Sequence, residues 1–188
     1  MYTYFDKIML TVDNINYYKN QQQIFNNLGF TIGLGSCLLL TGKNGSGKTS
    51  LLKIIAGITN PSSGKILWNN QDIKKFYPEY SSDVQYIGHN NFLKKTMTVL
   101  ENLSFYCSLS DTKILIPSAI KYFNLEEIVN IEVGKLSAGL QQRVMLSKLL
   151  CCPTTIWLLD EPTNNLDKTG RELLFNLISI RVKDGGMV

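Results

Sequence analysis

The sequence predicts an α/β fold with a block of helices inserted into it, on three observations. Short apolar runs of strand length alternate with longer stretches of helical periodicity. A glycine-rich turn, "GKNGSGKT", stands between one such run and one such helix. From about Thr98 the strand signals stop, and helical patterns follow one another until a last apolar run, "TTIWLLDEP". That order is the layer pattern of an α/β core interrupted by a helical insert.

Each element has its own reason. "KIMLTVDNINYY" alternates imperfectly and reads as an early strand, and "FTIG" as another, followed by a turn at Gly33 to Ser36. "SCLLLTG" is a short apolar run expected to be a buried strand. It leads into the glycine-rich turn and then "KTSLLKIIAGI", a helix apolar on most faces. "GKILWNN" is a strand closed by an Asn-Asn turn, and "DVQYIGH" is a further strand. "TVLENLSFYCSL" and "IPSAIKYFNLEEIV" read as helices. "SAGLQQRVMLSKLLC" reads as a third, with Ser137 placed to cap it. "TTIWLLDEP" is a buried strand, and a helix is expected from about Lys168.

At 188 residues, the chain is one domain, or one domain with a small insert, and can bury a sizeable core. Its net charge of +4 comes from scattered Lys and Arg, which argues against nucleic-acid binding. Cys37, Cys107, Cys151 and Cys152 lack metal-ligand spacing and are expected to pack as reduced, small apolar residues. The N-terminus has no signal-peptide core, and no stretch approaches the roughly 18 apolar residues that span a bilayer. Any membrane role therefore has to come through a partner.

"GKNGSGKT", Gly42 to Thr49, fits G-x-x-x-x-G-K-[ST] and lies after an apolar run and before a helix, where a phosphate cradle must lie. Its glycines let backbone N–H groups curl around phosphate oxygens, and the helix N-terminus favours an anion. Lys48 can reach the β- and γ-phosphates, and the Thr49 hydroxyl can hold Mg²⁺. The expected nucleotide-binding set is Gly42, Asn44, Gly45, Gly47, Lys48, Thr49 and Ser50. A merely structural glycine turn is the competing reading, and the agreement of motif and context weighs against it. The run "TTIWLLDEP" delivers Asp160, which can bind Mg²⁺ through water, and Glu161, which can orient or deprotonate an attacking water. Two acids opening a turn before Pro162 is the plainer alternative.

Between these motifs lies "LSAGLQQR", Leu136 to Arg143, and after them "NNLD". With these pieces in this order along nearly its whole length, the chain resembles the ATP-binding subunits of ABC transporters. The resemblance implies a P-loop NTPase (RecA-like) core with an N-terminal antiparallel β subdomain and an inserted α-helical subdomain. On this reading about 1–90 and 153–188 form the catalytic core, and about 91–152 the helical subdomain with the signature motif. It implies that Ser137 and Gly139 contact the γ-phosphate of an ATP held by a second copy, in an ATP-sandwich dimer. It implies that Asn164 to Asp167 link the two sites. In this chain Ala138 and Leu140 depart from the usual LSGGQ. The family also stacks an aromatic ring on adenine: Tyr18 is the candidate and Tyr17 the alternative, since strand alternation lets only one face the site.

The chain's one histidine stands in "YIGHNNFLKKTMTVLEN". By resemblance His89 occupies the position of a Gln that touches Mg²⁺, with Asn90 as the alternative. The Gly-His pair, "GKILWNNQDI" and "LSAGLQQRV" resemble one subfamily, the ATP-binding subunits of the haem exporter of cytochrome c maturation. The family also places a switch His after the strand that follows the last helix. By that pattern the chain stops at "DGGMV", before the switch-His loop, and the expectation is poor ATP turnover by the chain as written.

The resulting expectation is an ATPase that couples ATP hydrolysis to export. Its cofactors are ATP and Mg²⁺, and its partners are a second copy of itself and integral membrane subunits. It is expected to sit peripherally on the cytoplasmic face of the inner membrane. Another ABC exporter or a non-hydrolysing nucleotide-binding regulator are the alternatives. A cassette acting on ribosomes or DNA is disfavoured, because those usually carry two cassettes or a long coiled-coil insertion.

Overall fold

The computed structural model describes residues 8–88, 93–108 and 112–188. Strand β1 (Met9–Lys19) pairs antiparallel with β2 (Gln22–Gly33). The two-residue connection places Asn20 and Gln21 at φ 49 and 65, the left-handed pair that suits the twist of a hairpin. The sequence marks only the end of β2, because "QQIFNNLG" is polar and its side chains are mostly exposed on an edge strand. Helix α1 (Lys48–Ile55) follows the glycine turn. Strand β3 (Ser63–Trp68) lies on the other side of β1, and the expected turn at Asn69 and Asn70 leads into β4 (Gln71–Asp72). The sheet order is β2-β1-β3-β4.

A short helix, α2 (Tyr77–Ser82), precedes strand β5 (Val84–Ile87). Six residues are too few to carry a helical period, so α2 is not legible in the pattern. Four buried residues of α1, Leu51, Leu52, Ile54 and Ile55, share a core with Leu10, Val12 and Ile15 of β1 and with Ile66 and Trp68 of β3. Tyr80 closes this core. Its ring meets Trp68 edge-on at 6.4 Å, and its hydroxyl donates to the Ile55 carbonyl at 2.8 Å.

Helices α3 (Val99–Ser108), α4 (Ile116–Tyr122) and α5 (Ala138–Cys151) come next. Helix α3 starts on a reciprocal cap. The Thr98 amide donates to Glu101 Oε2 at 2.8 Å, and the Glu101 amide donates to the Thr98 hydroxyl at 3.2 Å. The Thr98 amide holds the Glu101 carboxyl below its usual range. Strand β6 (Ile156–Leu159) pairs with β5, and helix α6 (Lys168–Lys183) follows. Met187 bridges in parallel to both Ser36 and Ile156.

Two compact units result. One comprises the chain up to Tyr86 with Thr155–Asp160 and Arg181–Val188; the other comprises Ile87–Thr154 and Glu161–Ile180. Residues 161–180 group with the helical unit. Side chains make the reason plain. Tyr122 donates to the Leu173 carbonyl at 3.0 Å, and Arg143 reaches both carboxylate oxygens of Asp167. "SCLLLTG" is a correction. Within it only Ser36 joins a bridge, and Leu39 is 80% exposed. Its ladder partner is 187–188, whose hydrogen bonds extend no further than Leu38 among the described residues. Cys107 and Cys151 are buried as expected and Cys152 is half-buried, but Cys37 is exposed, between Ser36 and Leu38.

Inside the helical unit, Lys148 is only 8% exposed. Burial pulls its pKa down to about 8, and its ammonium sits 3.4 Å from the centre of the Tyr106 ring, which partly replaces lost hydration.

Candidate functional site

The glycine turn is built for an anion. Gly47 caps α1 at φ 97, and a Cβ there would run into Ile24 and Phe25. Backbone conformation and packing therefore both require glycine at this point. Gly47 offers no side-chain cap and the first turn has no acid, so the leading amides of α1 face outward with nothing from their own cap to satisfy them. The Ser46 amide donates to the Lys43 carbonyl at 3.2 Å, rounding the loop through Asn44 and Gly45. Lys48 folds its ammonium onto the Gly42 and Lys43 carbonyls, at 2.8 and 3.0 Å. The loop is thus tied shut by the Lys48 ammonium.

Helix α1 also supplies Thr49, whose hydroxyl donates to Asp160 Oδ1 at 3.1 Å. Asp160 is 5% exposed at the end of β6, and Tyr86 of β5 donates to its other oxygen at 3.3 Å. Burial, and then the Asp160 charge, push the Tyr86 hydroxyl up to about 12, so it stays protonated and donates. Two hydroxyls holding one buried carboxylate form a hard-oxygen site. No cluster of three or more His, Cys, Asp or Glu occurs among the described residues. The donor set therefore fits a small hard cation that takes its remaining ligands from water or phosphate, as Mg²⁺ does.

Of the two stacking candidates, Tyr17 packs its ring against Phe25 at 6.2 Å, while Tyr18 is 50% exposed. The Tyr18 amide is anchored to the Ser62 hydroxyl at 3.2 Å.

The second group lies in the helical unit. Ser137 caps α5, its hydroxyl accepting from the Leu140 amide at 3.3 Å. Gly139 lies against the 162–167 loop: a Cβ there would come within 2.8 Å of the Asn165 carbonyl. Gln142 donates to the Pro162 carbonyl at 3.2 Å, and Arg143 to Asp167 at 2.7 and 2.6 Å. Positions 139, 142 and 143 share one helix face, so the start of α5 fastens this loop. The Arg143 guanidinium, then the Gly170 amide, hold the Asp167 carboxyl below its usual range. Glu161 directly follows Asp160, with φ 50, and the Asn164 side-chain Nδ2 donates to its Oε2 at 2.6 Å.

Every expected site residue except His89 falls among the described residues; His89 and its alternative Asn90 lie outside them. Sequence reasoning missed Tyr86, Gln142 and Asn164 as contributors. Tyr86 stands 74 positions from Asp160, and no local spacing announces such a pair. Asn164 was noticed only as part of a loop, although an Asn three positions after an acid before proline is a turn signal.

The ABC transporter family profile matches residues 25–164. A protein titled cytochrome c biogenesis ATP-binding export protein CcmA, from Wolbachia pipientis wMel, is 42% identical across 96% of this chain and 87% of its own length. A protein of the same title from Rickettsia bellii is 41% identical, across 96% of this chain and 90% of its own. Among solved structures, an ATP binding subunit of an ABC transporter superposes with a TM-score of 0.85 at 23% identity, covering 95% of this chain and 77% of that one. The cbiO1 protein from Clostridium perfringens, part of the ABC transporter complex cbiONQ, does so with a TM-score of 0.78 at 25% identity, over 96% and 76%.

Proposed function

The chain belongs to the ABC transporter family as one of its ATP-binding subunits, and from that premise we propose that its ATP hydrolysis drives the export step of cytochrome c biogenesis, the haem-export complex of the sequence resemblance. The observation that carries the site assignment is the contact of Thr49 with Asp160 at the first turn of a helix that begins on bare glycine.

ATP phosphates rest on the open amides of α1, where the helix terminus favours negative charge. Lys48 supplies the full positive charge, and Gly42, Asn44, Gly45, Gly47 and Ser50 shape the surrounding loop. Tyr18 stacks on the adenine. Thr49 and Asp160 would hold Mg²⁺, with His89 at the resemblance-derived third position; when bound, the ion neutralises charge on the phosphate oxygens. Both Asp160 oxygens receive hydroxyl donors, from Thr49 and Tyr86, which fix the carboxylate in place for this task. Glu161 takes a proton from the attacking water as ADP and phosphate form. Ser137 and Gly139 meet the γ-phosphate bound by a second copy, so two chains enclose two ATP molecules. As in other exporters of the family, the subunit docks peripherally on integral membrane partners at the cytoplasmic face; no helix among the described residues is long and apolar enough to cross a membrane.

Glu161→Gln tests the reaction and the assembly together. The amide still orients water but cannot accept its proton. We expect turnover to fall about 10²–10³-fold with ATP affinity kept, as for loss of a major transition-state contact. An ATP-dependent dimer should appear on gel filtration. Parent turnover in this variant would remove Glu161 from the role.

A further inference from the structure

Glu161 adopts φ 50, a left-handed conformation that a residue with a Cβ holds only when its surroundings impose it. The following Pro162 favours extended backbone at this position, so it does not account for φ 50. Asn164 does supply a restraint, and it grips Glu161 twice. Its backbone amide donates to the Glu161 carbonyl at 3.1 Å, and its side-chain amide donates to Glu161 Oε2 at 2.6 Å. The loop around Asn164 is itself fixed on either side. Gln142 holds the Pro162 carbonyl, and Arg143 holds Asp167. Asn164 therefore reaches the carboxylate from an anchored backbone.

We infer that Asn164 is a positioning residue for the Glu161 carboxylate. It fixes Oε2 by hydrogen bonding and directs Oε1 toward the water whose proton it accepts. This rests on the reading of Glu161 as the base. The amide suits the task chemically: it donates to a carboxylate, is neutral, and cannot take up the proton in Glu161's place.

The test compares steady-state kcat and KM for ATP hydrolysis in the full chain. The chains are the parent, Asn164→Ala, Asn164→Asp and Glu161→Gln. Asn164→Ala should lower kcat about ten- to a hundredfold, the scale of one lost hydrogen bond to a charged group, with KM unchanged. Asn164→Asp removes the donor and sets a second carboxylate against Glu161 Oε2, so its kcat should fall at least as far as that of Asn164→Ala, again with KM unchanged. A merely structural asparagine would instead lower the urea midpoint and raise KM together with the loss of kcat. If Asn164→Ala keeps parent kcat while Glu161→Gln is inactive, the inference is wrong and the base assignment stands. If Glu161→Gln turns over at the parent rate, the base assignment fails instead. Loss of ATP affinity together with kcat in Asn164→Ala would also overturn it, because the residue would then be holding the fold.

Discussion

Helix α1 begins on Gly47, which offers no side chain to its first amides, whereas α5 begins on Ser137, whose hydroxyl accepts from the Leu140 amide at 3.3 Å. Both are glycine-containing helix starts in motifs associated with phosphate. The first leaves its donors open and borrows a cation, Lys48, to close the loop through the Gly42 and Lys43 carbonyls. The second satisfies a donor from its own cap and spends its next turn, at Gly139, Gln142 and Arg143, on holding the 162–167 loop. A bare helix start can bind an anion within one chain. A capped one mainly organises its neighbourhood and, in our reading, meets phosphate only from a second copy.

The strongest way to break the comparison is Gly47→Ala. The added Cβ meets Ile24 and Phe25 and sits at φ 97, so the loop must rebuild. ATP binding measured by calorimetry should disappear, while the helical unit keeps its helix signal in circular dichroism. Retained affinity would show that the bare start is not what binds.

Ser137→Ala is a gentler probe of the other side. Losing an N-cap hydroxyl typically costs about 1 kcal/mol. The unfolding free energy from urea titration should fall by about that amount, and ATP affinity of the isolated chain should not move. A weaker ATP site with unchanged stability would reverse the roles of the two helix starts.

The same contrast explains what the sequence reveals. The P-loop is legible because its chemistry is local: glycines, Lys48 and Thr49 sit at fixed spacing on one turn. The cap at Ser137 and the turn at Asn69 and Asn70 are legible for the same reason. Tyr86 on Asp160 and Tyr122 on Leu173 are not, because they join residues 74 and 51 positions apart. Helical pattern likewise identifies α6 but says nothing of which neighbour it fastens to. Leu38 and Leu39 show the converse: their apolar character reads as burial, yet they are 43% and 80% exposed.

Calorimetric titration of ATP into the parent chain and into Lys48→Ala tests the central claim, that α1's open N-terminus with Lys48 is the nucleotide site. The parent should bind, and the variant should bind about ten- to a hundredfold more weakly, the scale of a charge-assisted hydrogen bond lost from the phosphate. Equal affinity in the two chains would contradict it, for then neither the glycine loop nor its lysine would hold the nucleotide.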